Sequence, residues 1–108
     1  MGVSTVPIGI DIEEIHPRIL KVQSKFVHPE ESINYSCDMM EDLTLLWTIK
    51  ESVYKLCGIP GLHFKNGIRA IERSGNKHKC IVTLDSGALE FYFEHERIDN
   101  EIITYNCT

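Results

Sequence analysis

Apolar and polar residues alternate from Val6 to Glu13, with Ile8, Ile10 and Ile12 on one side and Gly9, Asp11 and Glu13 on the other. A period of two is the signature of a strand, and it predicts one core face and one acidic face. The period then changes. Ile19, Val22 and Phe26 recur at helical spacing after Pro17, which suits a first helical turn, and His28-Pro29 ends the segment. A longer helix is predicted from Asp38, which can cap while Glu41 three residues on completes a capping box. It ends at Gly58, where Gly58-Ile59-Pro60-Gly61 supplies a left-handed residue and then a proline that cannot continue the helix. Four strands follow over Ile68 to Glu72, Lys79 to Leu84, Ala88 to His95 and Glu101 to Tyr105, rich in Ile, Val, Tyr and Phe. Ser74-Gly75-Asn76, Asp85-Ser86-Gly87 and Asp99-Asn100 separate them as turns. The order strand, helix, helix, meander predicts an α+β fold in which an antiparallel sheet packs with two main helices.

Composition narrows the class. With 108 residues the chain reads as a single domain, 1–108, long enough for one two-layer core. An apolar share of 43% with 25% charged residues is ordinary for a soluble globular protein and favours neither disorder nor a fibrous repeat. No stretch approaches the roughly 18 apolar residues of a membrane span, so the expected location is the cytoplasm. The four cysteines, at 37, 57, 80 and 107, lack any zinc-like spacing and read as reduced thiols. A net charge of -5 argues against a nucleic-acid surface. It leaves room for an anionic ligand, because a local basic group or a bound divalent cation holds phosphates inside a net-acidic protein.

Candidate chemistry comes from spacing. Asp11 and Glu13 lie two apart on a strand, so both carboxylates project from one face ~7 Å apart. On the long helix, at roughly 100° per residue, Leu46, Ile49, Val53, Leu56 and Cys57 form a core stripe. Trp47, Glu51, Tyr54 and Lys55 form a second stripe that packing does not require. If that stripe lies beside the acidic strand face, three carboxylates converge with a lysine at the margin, a donor set suited to Mg²⁺. Taken singly, each piece has a commonplace reading: a solvated strand face, an i,i+4 surface pair, a core tryptophan. Only their co-occurrence points to a cation site.

Gly9-Ile10-Asp11-Ile12-Glu13, then Trp47-Thr48-Ile49-Lys50-Glu51-Ser52 and Lys55, resembles the two signature segments of the 4'-phosphopantetheinyl transferase superfamily. Phe26-Val27-His28-Pro29-Glu30 resembles the element between the signatures, and Gly58 to Leu62 the loop after the helix. The tryptophan before Lys50-Glu51 resembles the surfactin-synthetase-activating type, whose members are pseudo-dimers, and the chain is similar to their C-terminal half. The resemblance implies that half-domain fold and transfer of 4'-phosphopantetheine from coenzyme A to a serine of an acyl- or peptidyl-carrier protein. It further implies that Asp11, Glu13 and Glu51 bind Mg²⁺. Lys55 would neutralise or protonate the departing 3',5'-ADP oxygen, and Lys50 would contact phosphate or steady the helix face. Glu30 is implied as a general base, although the adjacent Glu31 aligns as well, and Glu51 as an alternative one through a water. Trp47 is expected to shape helix packing.

The family's preceding half, with its Ser-His segment and basic residues that hold coenzyme A, has no counterpart here. Arg18, Lys21, Lys25, His28 and Lys65 supply basic groups, but no motif assigns them. The resemblance therefore implies a homo-oligomer or half of a larger pseudo-dimeric enzyme. The alternative is a non-catalytic half-domain or remnant that binds Mg²⁺, nucleotide or carrier protein without turnover.

Overall fold

The computed structural model describes residues 9–107. Strand β1 spans Ile10–Glu14, followed by helix α1 at Arg18–Val22, 3-10 turns at Gln23–Lys25 and Pro29–Ile33, and helix α2 at Met40–Cys57. Strands β2 at Ile68–Ser74, β3 at Lys77–Leu84, β4 at Gly87–Ile98 and β5 at Glu101–Cys107 complete the chain. All pair antiparallel in the order β1-β5-β4-β3-β2, so the meander folds as the turns predict and β1 joins it at the edge beside β5. The expected strand residues 6–8, Ile8 among them, lie outside the described residues.

Helix α2 lies on one face of the sheet. Leu43, Leu45, Leu46, Ile49 and Val53 are almost wholly buried, and Ile68, Cys80, Val82, Phe93 and Ile102 meet them from the strands. Each such side chain stabilises the fold by about 1.5–3 kcal/mol through removal of apolar surface from water. The left-handed stop falls where expected, with Gly58 at φ 61 and its N–H donating to the Tyr54 carbonyl at 3.1 Å. The helix start does not. Met39 precedes the first turn without a side-chain cap, and the expected Asp38–Glu41 capping box is absent. Glu41 is drawn instead to Arg97 at 2.7 Å, and Asp42 accepts from the Ser36 N–H at 2.8 Å. A capping box does form at His28, a site not expected: its ring accepts from the Glu30 N–H while Glu31 accepts from the His28 N–H at 2.7 Å.

The faces of β1 are the reverse of those expected. Ile10 and Ile12 are 49% and 53% exposed, whereas Asp11 is 6% exposed and turned toward α2. The cause is that the described helices cover only the acidic face of β1, where the seam with α2 is polar. Ser52 Oγ lies 2.7 Å from Thr104 Oγ1, which donates to the Thr48 carbonyl at 3.1 Å. Gly9 closes this seam: a Cβ there would stand 2.5 Å from the Ser52 carbonyl oxygen, so only glycine lets the strand and helix backbones touch. On the other face exposed Ile10 and Ile12 lie beside Tyr105 and Ile103 of β5, and Glu94 and Glu96 follow on β4.

Candidate functional site

The strand carboxylates and the second stripe of α2 meet. Register pairs Asp11 with Thr104 and Glu13 with Ile102, two residues buried beneath α2, so both acids share the helix-facing side. Lys55 Nζ donates to Asp11 Oδ1 at 2.6 Å, while Asp11 Oδ2 is buried without a hydrogen-bond partner. The lysine therefore sits on the acid rather than at the margin. Burial, then the Asp11 charge, pushes the Glu13 carboxyl up to about 7. Burial and Asp11 also raise Glu51, with Lys55 opposing. The hydrogen bond to Asp11 in turn raises Lys55. Asp11 is thus the hub of one electrostatic unit.

Among the described residues, no group of three or more His, Cys, Asp and Glu is gathered closely enough to hold a metal ion. The donor chemistry nonetheless fits a small hard cation. Three carboxylates resist being charged together, and one buried oxygen has no donor of its own.

The other expected site residues lie elsewhere. Lys50 is fully buried; its Nζ donates to Phe26 O at 2.6 Å, Glu31 Oε1 at 2.7 Å and Phe64 O at 2.7 Å. An ammonium has three protons, so none remains for a phosphate, and steadying the helix is the role its surroundings support. Burial lowers the Lys50 pKa and the Glu31 charge opposes that. Glu30 is 71% exposed and paired with Arg69 at 3.2 Å. Its neighbour Glu31 is the buried one, accepting also from the Ala70 N–H at 2.8 Å. Sequence reasoning missed this buried role, although the pattern His28-Pro29-Glu30-Glu31, with a capping side chain, Pro in the first turn and an acid three residues on, signals it.

Trp47, Tyr54, Phe26 and Phe64 line a cleft of about 600 Å³ with Glu51 on its wall. A larger cleft, of about 820 Å³, is lined by Arg73, Lys77 and Tyr92, away from the acid cluster. Chemistry rather than size selects the former. All four cysteines are unpaired thiols. Among the described residues no helix is long and apolar enough to cross a membrane.

A family model described as ACPS, 4'-phosphopantetheinyl transferase superfamily, matches residues 7–106, nearly the whole chain. No curated protein sequence matches.

Proposed function

The chain belongs to the 4'-phosphopantetheinyl transferase superfamily, and on that premise we propose that it carries the cation and phosphate machinery for Mg²⁺-dependent transfer of 4'-phosphopantetheine from coenzyme A to a carrier-protein serine. The observation that carries the reading is buried Asp11, with one oxygen on Lys55, the other unpartnered, and Glu13 and Glu51 in its field.

Asp11, Glu13 and Glu51 would hold Mg²⁺, which when bound offsets the charge of the coenzyme A pyrophosphate. The serine oxygen attacks the β-phosphorus, a serine–phosphorus bond forms, and the bond to the 3',5'-ADP oxygen breaks. Lys55 serves the departing oxygen: 51% exposed at the end of α2 and tethered to Asp11, its ammonium is free to pivot onto a phosphate. Glu51, whose carboxyl is held above its ordinary range, is suited to take the serine proton. Glu30, engaged by Arg69, is the weaker candidate base. Most of the acceleration would come from positioning and electrostatics.

Trp47 before Lys50-Glu51 supports the surfactin-synthetase-activating type, and exposed Ile10 and Ile12 on the edge strand support a second subunit or lobe against the sheet. A cytoplasmic location follows from the coenzyme A substrate. The test is incubation of the chain with coenzyme A, Mg²⁺ and an apo carrier protein, read by mass spectrometry. The expected result is a gain of the phosphopantetheine arm that disappears in Glu51→Gln. Coenzyme A binding without that gain identifies a non-catalytic member.

A further inference from the structure

We propose that the cleft between α1 and α2 receives the pantetheine arm of coenzyme A, with the Thr44 hydroxyl bonded to an amide of the arm and Trp47 packed along it. The inference rests on the reading of the chain as a transferase that takes coenzyme A, and it requires no bound cation.

Thr44 stands on α2 at 2% exposure, and its Oγ1 has no hydrogen-bond partner among the described residues. A buried hydroxyl left in that state destabilises the fold, and a valine of the same shape would pack there without the cost. Thr48, one turn on, shows the usual remedy: its Oγ1 donates to the Leu45 carbonyl at 2.9 Å. Thr44 lines a cleft of about 420 Å³ together with Glu13 and Glu14 of β1, Arg18, Ile19 and Val22 of α1, and Trp47. A helical threonine has two ready χ1 rotamers, so the hydroxyl can turn to meet an occupant of the cleft. Carboxylates and a guanidinium share the lining with apolar side chains, which suits an occupant that is itself uncharged, part apolar and able to hydrogen-bond. The pantetheine arm, with its methyl groups and two amides, has that chemistry. The aromatic cleft of about 600 Å³ shares Trp47, but among the described residues none of its lining carries a buried polar atom without a partner.

The length agrees. Lys55 holds Asp11 at 2.6 Å, while Glu13, two residues along β1, shares the cleft with Thr44 and Trp47. Strand and helix therefore run side by side in opposite senses, and the eleven residues from Lys55 back to Thr44 span about 16 Å along the helix axis. The arm has thirteen bonds from phosphorus to sulfur and reaches about 16 Å at the rise of an extended backbone. An arm whose phosphate lies at Lys55 thus ends in the cleft at Thr44.

Trp47 is the one tryptophan of the sequence, so its emission reads the cleft directly. Titration with coenzyme A or with 4'-phosphopantetheine should change that emission, whereas 3',5'-ADP, which lacks the arm, should bind without doing so. Thr44→Val keeps the shape of the side chain and removes the hydroxyl. Calorimetry should show Thr44→Val binding coenzyme A about three- to tenfold more weakly than the unaltered chain, with 3',5'-ADP bound within about twofold. The variant should also melt no lower than the unaltered chain; a lower melting temperature would mean that the hydroxyl serves the fold, against the proposal. If the unaltered chain binds coenzyme A with Trp47 emission unchanged, or if Thr44→Val binds it as tightly, the arm lies elsewhere and the transferase reading stands. If the unaltered chain binds no coenzyme A at millimolar concentration, the transferase reading fails and the proposal goes with it.

Discussion

Lowering the pH should remove the stability contributed by His78, a side chain far from the acid cluster in sequence and 2% exposed. Tyr35 Oη lies 2.7 Å from His78 Nδ1, His78 Nε2 lies 2.7 Å from His95 Nδ1, and the His95 main-chain N–H donates to the Asn76 carbonyl at 3.0 Å. Between Tyr35 and His95, neutral His78 uses both ring nitrogens, one as donor and the other as acceptor. The Tyr35 hydroxyl can turn to accept from a protonated His78, so what an added proton costs is the burial of a charge beside Arg73 and His95. Burial first, then the charges of His95 and Arg73, hold His78 down at about 3 against an ordinary 6.5. Because the folded value lies below the unfolded one, the unfolded chain takes up the proton first as pH falls. Stability present above about 6.5 is therefore lost progressively toward about 3. Linkage makes the loss from His78 between pH 7 and pH 5 about 2 kcal/mol, or roughly 8–15 °C in Tm for a domain of this size. His95, also lowered and flanked by Arg73, Glu41 and Asp42, acts in the same sense. Glu13, raised, acts in the opposite sense over the same interval, so the raw curve mixes the two. Comparison with His78→Gln separates them, since the amide can accept from Tyr35 and donate to His95 without titrating. Thermal melts across pH 5 to 7 should show the stability of the unaltered chain relative to His78→Gln falling by that amount as the pH drops. Parallel curves would refute the reasoning.

Two further outcomes follow from the core and the seam. Lys50→Met strands the Glu31 carboxylate among buried groups and should cost about 3–5 kcal/mol in urea unfolding, with Glu31→Leu in the same chain recovering part of it; a cost below about 1 kcal/mol would show that the pair is relaxed by water. Gly9→Ala drives a methyl to within 2.5 Å of the Ser52 carbonyl oxygen and should push β1 from α2, destabilising the chain by about 1–3 kcal/mol and weakening Mg²⁺ binding together; a stable variant with unchanged calorimetry would place the acid cluster independently of the seam.

The meander was legible because glycine and asparagine turns punctuate it, and α2 because its apolar residues keep helical phase up to Gly58. The acid-bearing stripes were found by the same periodicities. What periodicity cannot assign is which side of an edge strand meets a helix. Ile10 and Ile12 score as interior on hydrophobicity, yet the Gly9 contact and the Thr104–Ser52 hydroxyls bring the acids inward instead. Lys50 and Glu31 escaped for a related reason. A lysine on a helix reads as surface until tertiary structure supplies three acceptors, and Glu31 reads as the lesser of two adjacent acids until the box at His28 turns it into the core. The missing Asp38 cap shows long-range competition, with Arg97 from β4 capturing Glu41.

The grip of Lys50 on Phe26, Glu31 and Phe64 has a consequence for how the molecule breathes. Peeling away any one of these stretches exposes an unneutralised ammonium or an orphaned carbonyl in a dry interior, so none of them is free to fray by itself. Hydrogen exchange at the Ala70 and His28 amides, both held by Glu31, should therefore proceed only by opening of the whole domain, at one shared rate, rather than by separate local excursions.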